Sequence, residues 1–317
     1  MNQLTSRRQF IGTATSAAIG AGFLNTTLPI SAMHHKTTET NFKYCLNMST
    51  IRGQKLGLVK EIEVAAKAGY SAIEPWVRTI RTYVDEGGSL KDLKKRIEDL
   101  GLTVESAIGF APWIVDDPTE RAKGLEEAKS DMDLLAQIGG KRLAAPPKGA
   151  TKEAGLDLLS AAERYRALLE LGDEMGVVPQ VEVWGFSKNL HRLGQAVFVA
   201  IESGHPKACI LPDIFHIYKG GSDFTGLKML SKSSVHAFHI NDYPSDPPWA
   251  SIGDKDRVYP GDGVAPMGEI MRTLVNLNPD MVFSLELFNP VYWKQDALKV
   301  AETGLRKMKE QVEAHLG

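Results

Sequence analysis

The chain is poor in several features that would announce a class. It has two cysteines, Cys45 and Cys209, in 317 residues. That excludes a disulfide scaffold and a zinc–thiolate site, and two buried free thiols are the simplest expectation. It has no block of lysine and arginine, and its formal net charge is −2. The electrostatic footprint of a nucleic-acid binder is missing, so no nucleic-acid partner is expected. The longest apolar run, from Ile11 to Leu24, is too short for a comfortable membrane span, so no stable membrane anchor is expected. The segment after the first strand-like run, Asn47-Met48-Ser49-Thr50, has no glycine. A doubly wound nucleotide-binding sheet would place a glycine-rich phosphate loop there.

What is present begins with an address. Ser6-Arg7-Arg8-Gln9-Phe10-Ile11 precedes the apolar, Ala/Gly-rich run, and Leu28-Pro29-Ile30-Ser31-Ala32 follows it. Paired arginines, a modest apolar region and a small-residue cleavage site read as a twin-arginine signal over residues 1–32. A general secretory signal is the rival reading. The expected partner is the twin-arginine export machinery and the expected location is periplasmic or otherwise exported. Residues 33–41 read as a polar leader.

From 42 to 317 the sequence alternates strand-like and helix-like stretches. Apolar, strand-like runs fall at 44–49, 71–76, 102–110, 141–145, 178–184, 208–213, 235–241 and 281–286. Helical spacing falls at 56–68, 90–100, 120–138, 156–175, 190–203, 224–230, 266–277 and 296–314. Glycines stop several of the helices, among them Gly69, Gly101, Gly176 and Gly204. Eight strand–helix repeats in one domain predict an α/β fold, a (β/α)8 TIM barrel. No internal domain boundary interrupts them.

Barrel chemistry gathers at the C-terminal ends of the strands. Strand five ends at Glu182, strand six at Asp213, strand seven around His239 and strand eight at Glu286. Three carboxylates and one imidazole at one level suit a single divalent ion: Mn²⁺, Zn²⁺, Co²⁺ or Mg²⁺. Any one carboxylate could instead pair with an arginine or cap a loop. Buried carboxylates are costly unless paired or bound to metal, and few cations share these strands. Glu74 at the end of strand two, and Trp184 and Lys294 near strand ends, are further candidates for the pocket wall. Trp113, Trp249, Tyr292 and Trp293 also fall in segments that follow strands, where aromatics suit sugar faces or plain loop packing. The segment 244–265, rich in Pro, Gly and Asp, is the longest loop and the expected lid.

The motifs SAIEPW (71–76), QVEVWG (180–185), LPDIFHIYKGGS (211–222), FHINDYP (238–244), DRVYPGDGVAP (256–266) and FSLELFNPVYWK (283–294) resemble the xylose isomerase-like TIM barrel superfamily of sugar isomerases and epimerases. The resemblance runs from Phe42 to about Met308, and within the superfamily the likeness is to inosose (2-keto-myo-inositol) isomerases. It implies that Glu182, Asp213, His239 and Glu286 are metal ligands. It further implies that Glu182 and Glu286 are the catalytic proton-transfer pair, and that His216 and Arg257 contact substrate oxygens. There are departures. Where many relatives carry His-x-His on strand seven, the first position here is Ala237. Where some ketose epimerases place a glutamate six residues beyond the strand-five ligand, Lys188 stands.

The chemistry follows from the residue types. Moving a carbonyl to its neighbour, or inverting the adjacent carbinol, requires loss of a carbon-bound proton and gives a cis-enediolate. A divalent ion chelating both oxygens favours that charge, and carboxylates carry the proton. The expected activity is a metal-dependent isomerase or epimerase of a keto-sugar or keto-cyclitol. Two alternatives stay open: a lyase acting on 3-keto-glycosides through the same enediolate, and an exported sugar-binding barrel without turnover. An abasic-site nuclease would want a richer His/Asp/Glu set and a basic face.

Overall fold

The computed structural model describes residues 41–316; the expected signal, 1–32, and the leader through residue 40 lie outside the described residues. The strands are β1 (Lys43–Asn47), β2 (Ala72–Glu74), β3 (Thr103–Val104), β4 (Arg142–Ala145), β5 (Val178–Glu182), β6 (Ile210–Leu211), β7 (Ala237–Ile240) and β8 (Val282–Leu285). The helices are α1 (Leu58–Ala68), α2 (Val77–Asp85), α3 (Leu90–Asp99), α4 (Pro118–Gln137), α5 (Leu158–Met175), α6 (Leu193–Glu202), α7 (Ile214–Lys219), α8 (Met267–Leu277) and α9 (Ala297–Glu313).

Every strand pairing is parallel, in the orders β3-β2-β1-β8-β7 and β4-β5-β6. Parallel bridges Ala107–Leu143, Ile210–Val235 and Asp213–His239 join the two arcs into a closed ring. Strands in such a ring are covered on both sides, so they read as apolar runs rather than alternations. All four residues of β7 and of β8 are buried.

Local chemistry sets the helix ends. The side chains of Ser89, Asp117, Asp157 and Asp296 accept backbone N–H bonds at the starts of α3, α4, α5 and α9. Gly69 and Gly176 end α1 and α5 with φ of +91° and +71°, a left-handed turn that costs glycine little.

Four expectations needed correction. α2 lies where a loop was expected; its short apolar stripe, Val77 and Ile80, is buried, and packing outweighs its β-branched composition. α7 begins at Asp213, whose carboxylate accepts the His216 N–H at 2.7 Å. The single strand expected over 102–110 is two residues of ladder followed by isolated bridges. The ladder stops at Glu105 and Ser106, whose side chains bond Lys43 and Gln180. Residues 224–229 form a 3-10 turn rather than an α-helix. Both cysteines are free and buried.

Candidate active site

The centre is His239 on β7, wholly buried between two carboxylates. Its Nε2 lies 3.0 Å from Glu74 Oε2. That oxygen also accepts from Asn47 Nδ2 at 2.9 Å and Ser284 Oγ at 2.6 Å. Burial alone would raise the Glu74 pKa, but the charge of His239 and these hydrogen bonds hold it below the usual carboxylate range. On the other side, His239 Nδ1 lies 3.2 Å from Glu286 Oε2 and 3.8 Å from Asp213 Oδ2. Burial disfavours the charged ring, yet Glu286 and Glu74 together raise its pKa well above the ordinary histidine value.

Asp213, His239 and Glu286 each present a ligand atom within 4.8 Å of the others, and all three are buried. Donor atoms that share one ion at bond lengths of about 2.0–2.6 Å fall within such a span. Three buried atoms at this place make no hydrogen bond among the described residues: His239 Nδ1, Glu182 Oε2 and, on the carboxylate behind the ring, Glu74 Oε1. Buried polar atoms normally find partners. Two carboxylates, an imidazole and a further orphaned carboxylate oxygen fit one divalent cation.

Arg257 supplies the local positive charge. It is 0% exposed, with Nη1 at 2.8 Å from Asp213 Oδ2 and 2.9 Å from Glu286 Oε2. Its Nη2 reaches Asp254 Oδ1 at 2.6 Å and His216 Nε2 at 3.0 Å. Burial opposes the charge, but Asp213, Asp254 and Glu286 push the guanidinium pKa still higher. His216 is driven down to about 3 by burial, with Asp213 opposing and Arg257 assisting. Its ring is neutral and has one acceptor nitrogen. Gly185 N–H faces Nδ1 at 3.2 Å and Arg257 faces Nε2, so only one of these donors is satisfied at a time.

Above these groups opens a cavity of about 490 Å³. Arg52, Glu182, His216, Asp254, Lys255, Arg257 and Glu286 are its acidic and basic lining; Trp76, Phe110, Trp184, Phe186, Phe288 and Trp293 are its aromatic lining. The rings run in chain contact, with centroids 5.2 Å apart for Trp76–Phe110, 6.1 Å for Phe110–Trp184 and 5.5 Å for Trp184–Phe186. Glu182 is pushed up to about 8, first by burial and then by Glu286 and Asp213, against the opposing charge of His239.

The structure thus gathers Asp213, His239 and Glu286 tightly, with Glu182 on the wall of the same cavity. His216, Arg257 and Trp184 line it as well. Glu74 does not line it: it stands behind His239 and fixes the ring, as outer carboxylates do at metal-bound histidines. Lys294 sits in an exposed 3-10 turn, away from the cavity lining. Of the other aromatics noted in the sequence, Trp293 lines the cavity. Trp113 is buried on Tyr165, Tyr292 stacks on Tyr259, and Trp249 is exposed.

The loop 244–265 is pinned. Asp242 accepts from the backbone of Tyr243, Gly261, Gly263 and Ala265, and the loop delivers Asp254, Lys255 and Arg257 to the cavity. Three partners were missed in the sequence: Asn47, Asn241 and Asp254. Asn47 donates to Glu74 and, at 3.1 Å, to Glu286 Oε1; Asn241 donates to Asp213 Oδ2 at 2.8 Å. Asn47 ends β1, so the rule that found Glu182 could have found it.

Residues 62–311 match the family described as xylose isomerase-like TIM barrel. An inosose isomerase of Bacillus licheniformis is 28% identical over 275 residues, covering 82% of this chain and 94% of that one. An inosose isomerase of Bacillus velezensis is 26% identical over 277 residues, covering 86% and 96%. A solved structure described as the IolI protein with a binding zinc atom superposes with a TM-score of 0.80 at 23% identity, covering 86% of this chain and 99% of that one. The superposition speaks to the fold, and the sequence match spans most of the closed barrel just described: the chain belongs to the xylose isomerase-like TIM barrel family.

Proposed function

We propose that the protein is a divalent-metal-dependent isomerase or epimerase of a keto-sugar or keto-cyclitol of the inosose type. The observation that carries this reading is the pair Glu182 and Glu286 lining one cavity directly beside the buried Asp213–His239–Glu286 group. The inosose isomerase relatives support it. Asp213, His239 and Glu286 would hold the ion, with Glu182 as the fourth ligand. When bound, such an ion supplies positive charge against the two adjacent oxygens of an enediolate.

The remaining work falls to the chain's own side chains. Glu182 lines the cavity and has a raised pKa, which suits a group that takes a proton from carbon and returns it. Glu286 is held on both sides, Oε1 by Asn47 and Oε2 by Arg257, so it can receive or deliver a proton from a fixed position. Glu74 and Asn47 orient His239 and Glu286. The aromatic walls stack on sugar faces and keep water from the carbanion-like carbon. We also propose that the protein meets this substrate after export through the twin-arginine machinery, as the pattern of residues 1–32 suggests. Fractionation of a tagged full-length chain tests that, and retention in the cytoplasm would refute it.

A second reading has one observation in its favour. The aromatic lining extends over six rings, more than one small ring needs. That suits a 3-keto-glycoside whose aglycone leaves β to the carbonyl. Incubation of the metal-loaded protein in D2O with inosose, and separately with a 3-keto-glucoside, tests both by NMR. Deuterium at the carbon next to the carbonyl with an isomerised product supports the first reading; release of aglycone supports the second. Ligand bound without deuterium uptake would leave only a sugar-binding barrel.

A further inference from the structure

Arg52 follows β1, in a 3-10 turn spanning Met48–Gln54, and lines the cavity. Its guanidinium carbon lies over three aromatic rings: 4.9 Å from the centroid of Trp76, 5.1 Å from Phe288 and 5.1 Å from Trp293. The rings are themselves fixed. Trp76 Nε1–H donates to Asn47 Oδ1 at 3.2 Å, and Trp293 Nε1–H donates to Ser49 O at 3.0 Å. Gly53 lets Trp293 close in, since a Cβ there would meet the indole at 2.2 Å. Arg78 covers Trp76 as well, at 4.2 Å.

Stacking uses the faces of a guanidinium and leaves its five in-plane N–H donors free. The Arg52 side chain makes no hydrogen bond and no ion pair among the described residues. Glu286 and Asp254, the acidic groups whose charge reaches it, are already bonded to Arg257. The cavity's other cations differ. Arg257 is saturated by carboxylates, while Lys255 is exposed and also unpaired among the described residues.

We propose that Arg52, backed by Lys255, is an anion-recognition subsite, and that the substrate is a keto-sugar carrying a carboxylate. This rests on the keto-sugar reading above. A planar fork matches a carboxylate in two parallel hydrogen bonds. Arg52 alone brings one positive charge in one planar fork, the complement of a single carboxylate, and Lys255 stands at the exposed rim. A phosphate dianion normally receives a nest of backbone amides or a helix N-terminus, whereas this wall is made of aromatic rings.

The test uses three probes that differ at one carbon: D-fructose, D-fructuronate and D-fructose 6-phosphate. Each is given to the metal-loaded full chain in D2O, and deuterium uptake next to the carbonyl is followed by NMR. Binding is followed separately by quenching of tryptophan fluorescence, since Trp76 and Trp293 touch Arg52. The subsite predicts kcat/KM for fructuronate about tenfold or more above that for fructose. It predicts that R52M erases this ratio mainly through KM, and that R52K restores part of it. A melting temperature for each variant guards against a collapsed aromatic box. Equal use of fructose and fructuronate, or an R52M effect that is the same for both, overturns the proposal. A preference for the phosphate overturns the carboxylate assignment. Fructuronate that quenches tryptophan in an Arg52-dependent way without deuterium uptake would uphold the subsite and count against the keto-sugar chemistry.

Discussion

The two ends of the barrel both bury carboxylates, and they treat them differently. Toward the N-terminal ends of β1 and β4, Glu105, the residue that follows β3, receives Lys43 at 2.5 Å and Lys141 at 2.7 Å, with Arg142 at 3.6 Å. Burial would raise its pKa, but these cations and Thr103 hold it below the usual range. Glu105 leaves no orphaned atom. At the C-terminal ends, Asp213, Glu182 and Glu286 crowd round His239 with one buried arginine between them, and Glu182 and His239 each keep an atom without a hydrogen bond. A carboxylate with cations to spare and no orphaned oxygen is what a stabilising cluster looks like. A charge excess with ligand atoms unbonded among the described residues is what a functional site looks like.

The contrast can be broken most sharply at the top. E182Q and E286Q should each lower kcat about 10²–10⁴-fold while leaving the fold intact, read by deuterium uptake and by circular dichroism. An active E182Q protein would remove Glu182 from the proton path. Next comes the ion. Chelation should abolish turnover and lower the melting temperature; saturating metal should restore about 2.7 kcal/mol at a hundredfold excess over Kd. H239A and D213N should lose that metal-dependent rise, as isothermal titration would show directly.

At the bottom the expected effect is smaller and of another kind. E105Q should cost about 1–3 kcal/mol in a urea titration, because its lysines are partly exposed and recover some solvation. Its kcat should stay close to the parent value. A large activity loss there would mean that the two ends are coupled.

pH distinguishes the ends most finely. In the metal-free protein Glu182 is raised to about 8 and His239 well above its ordinary value, so both bind protons more tightly folded than unfolded. The stability they contribute is complete below their unfolded pKa values and is lost as pH rises, for Glu182 through about 8. Glu105 works in the opposite sense: its contribution is present above the ordinary carboxylate range and is lost in acid. Melting temperatures of the metal-free protein should therefore fall on both sides. E182Q should flatten the alkaline limb, and E105Q the acid limb. Metal should flatten the alkaline limb too, since His239 must release its proton to bind the ion.

Much of this was legible in the chain. The eight strands fell where apolar runs and terminal glycines placed them, because buried parallel strands and helix C-caps leave strong local marks. Strand-end polarity marked Glu182, Asp213, His239 and Glu286. The helix α2 was hidden because only two of its residues, Val77 and Ile80, are buried and neither flank carries a side-chain cap. Asn47 and Asn241 were hidden because an asparagine at a strand end looks like a turn residue until its partner is known.

The sequence by itself determined the barrel and the residue types at its mouth, since both rest on short-range periodicity and on strand polarity. Only the tertiary structure decided which atoms meet. It set Glu74 behind His239 rather than on the cavity wall and left Lys294 in solvent. It drew Arg257 from a loop into the carboxylate group and stood Arg52 among three rings. Those contacts join residues up to 244 positions apart, as between Ser49 and Trp293. Ring closure and side-chain direction fix such distances, and no local pattern encodes them.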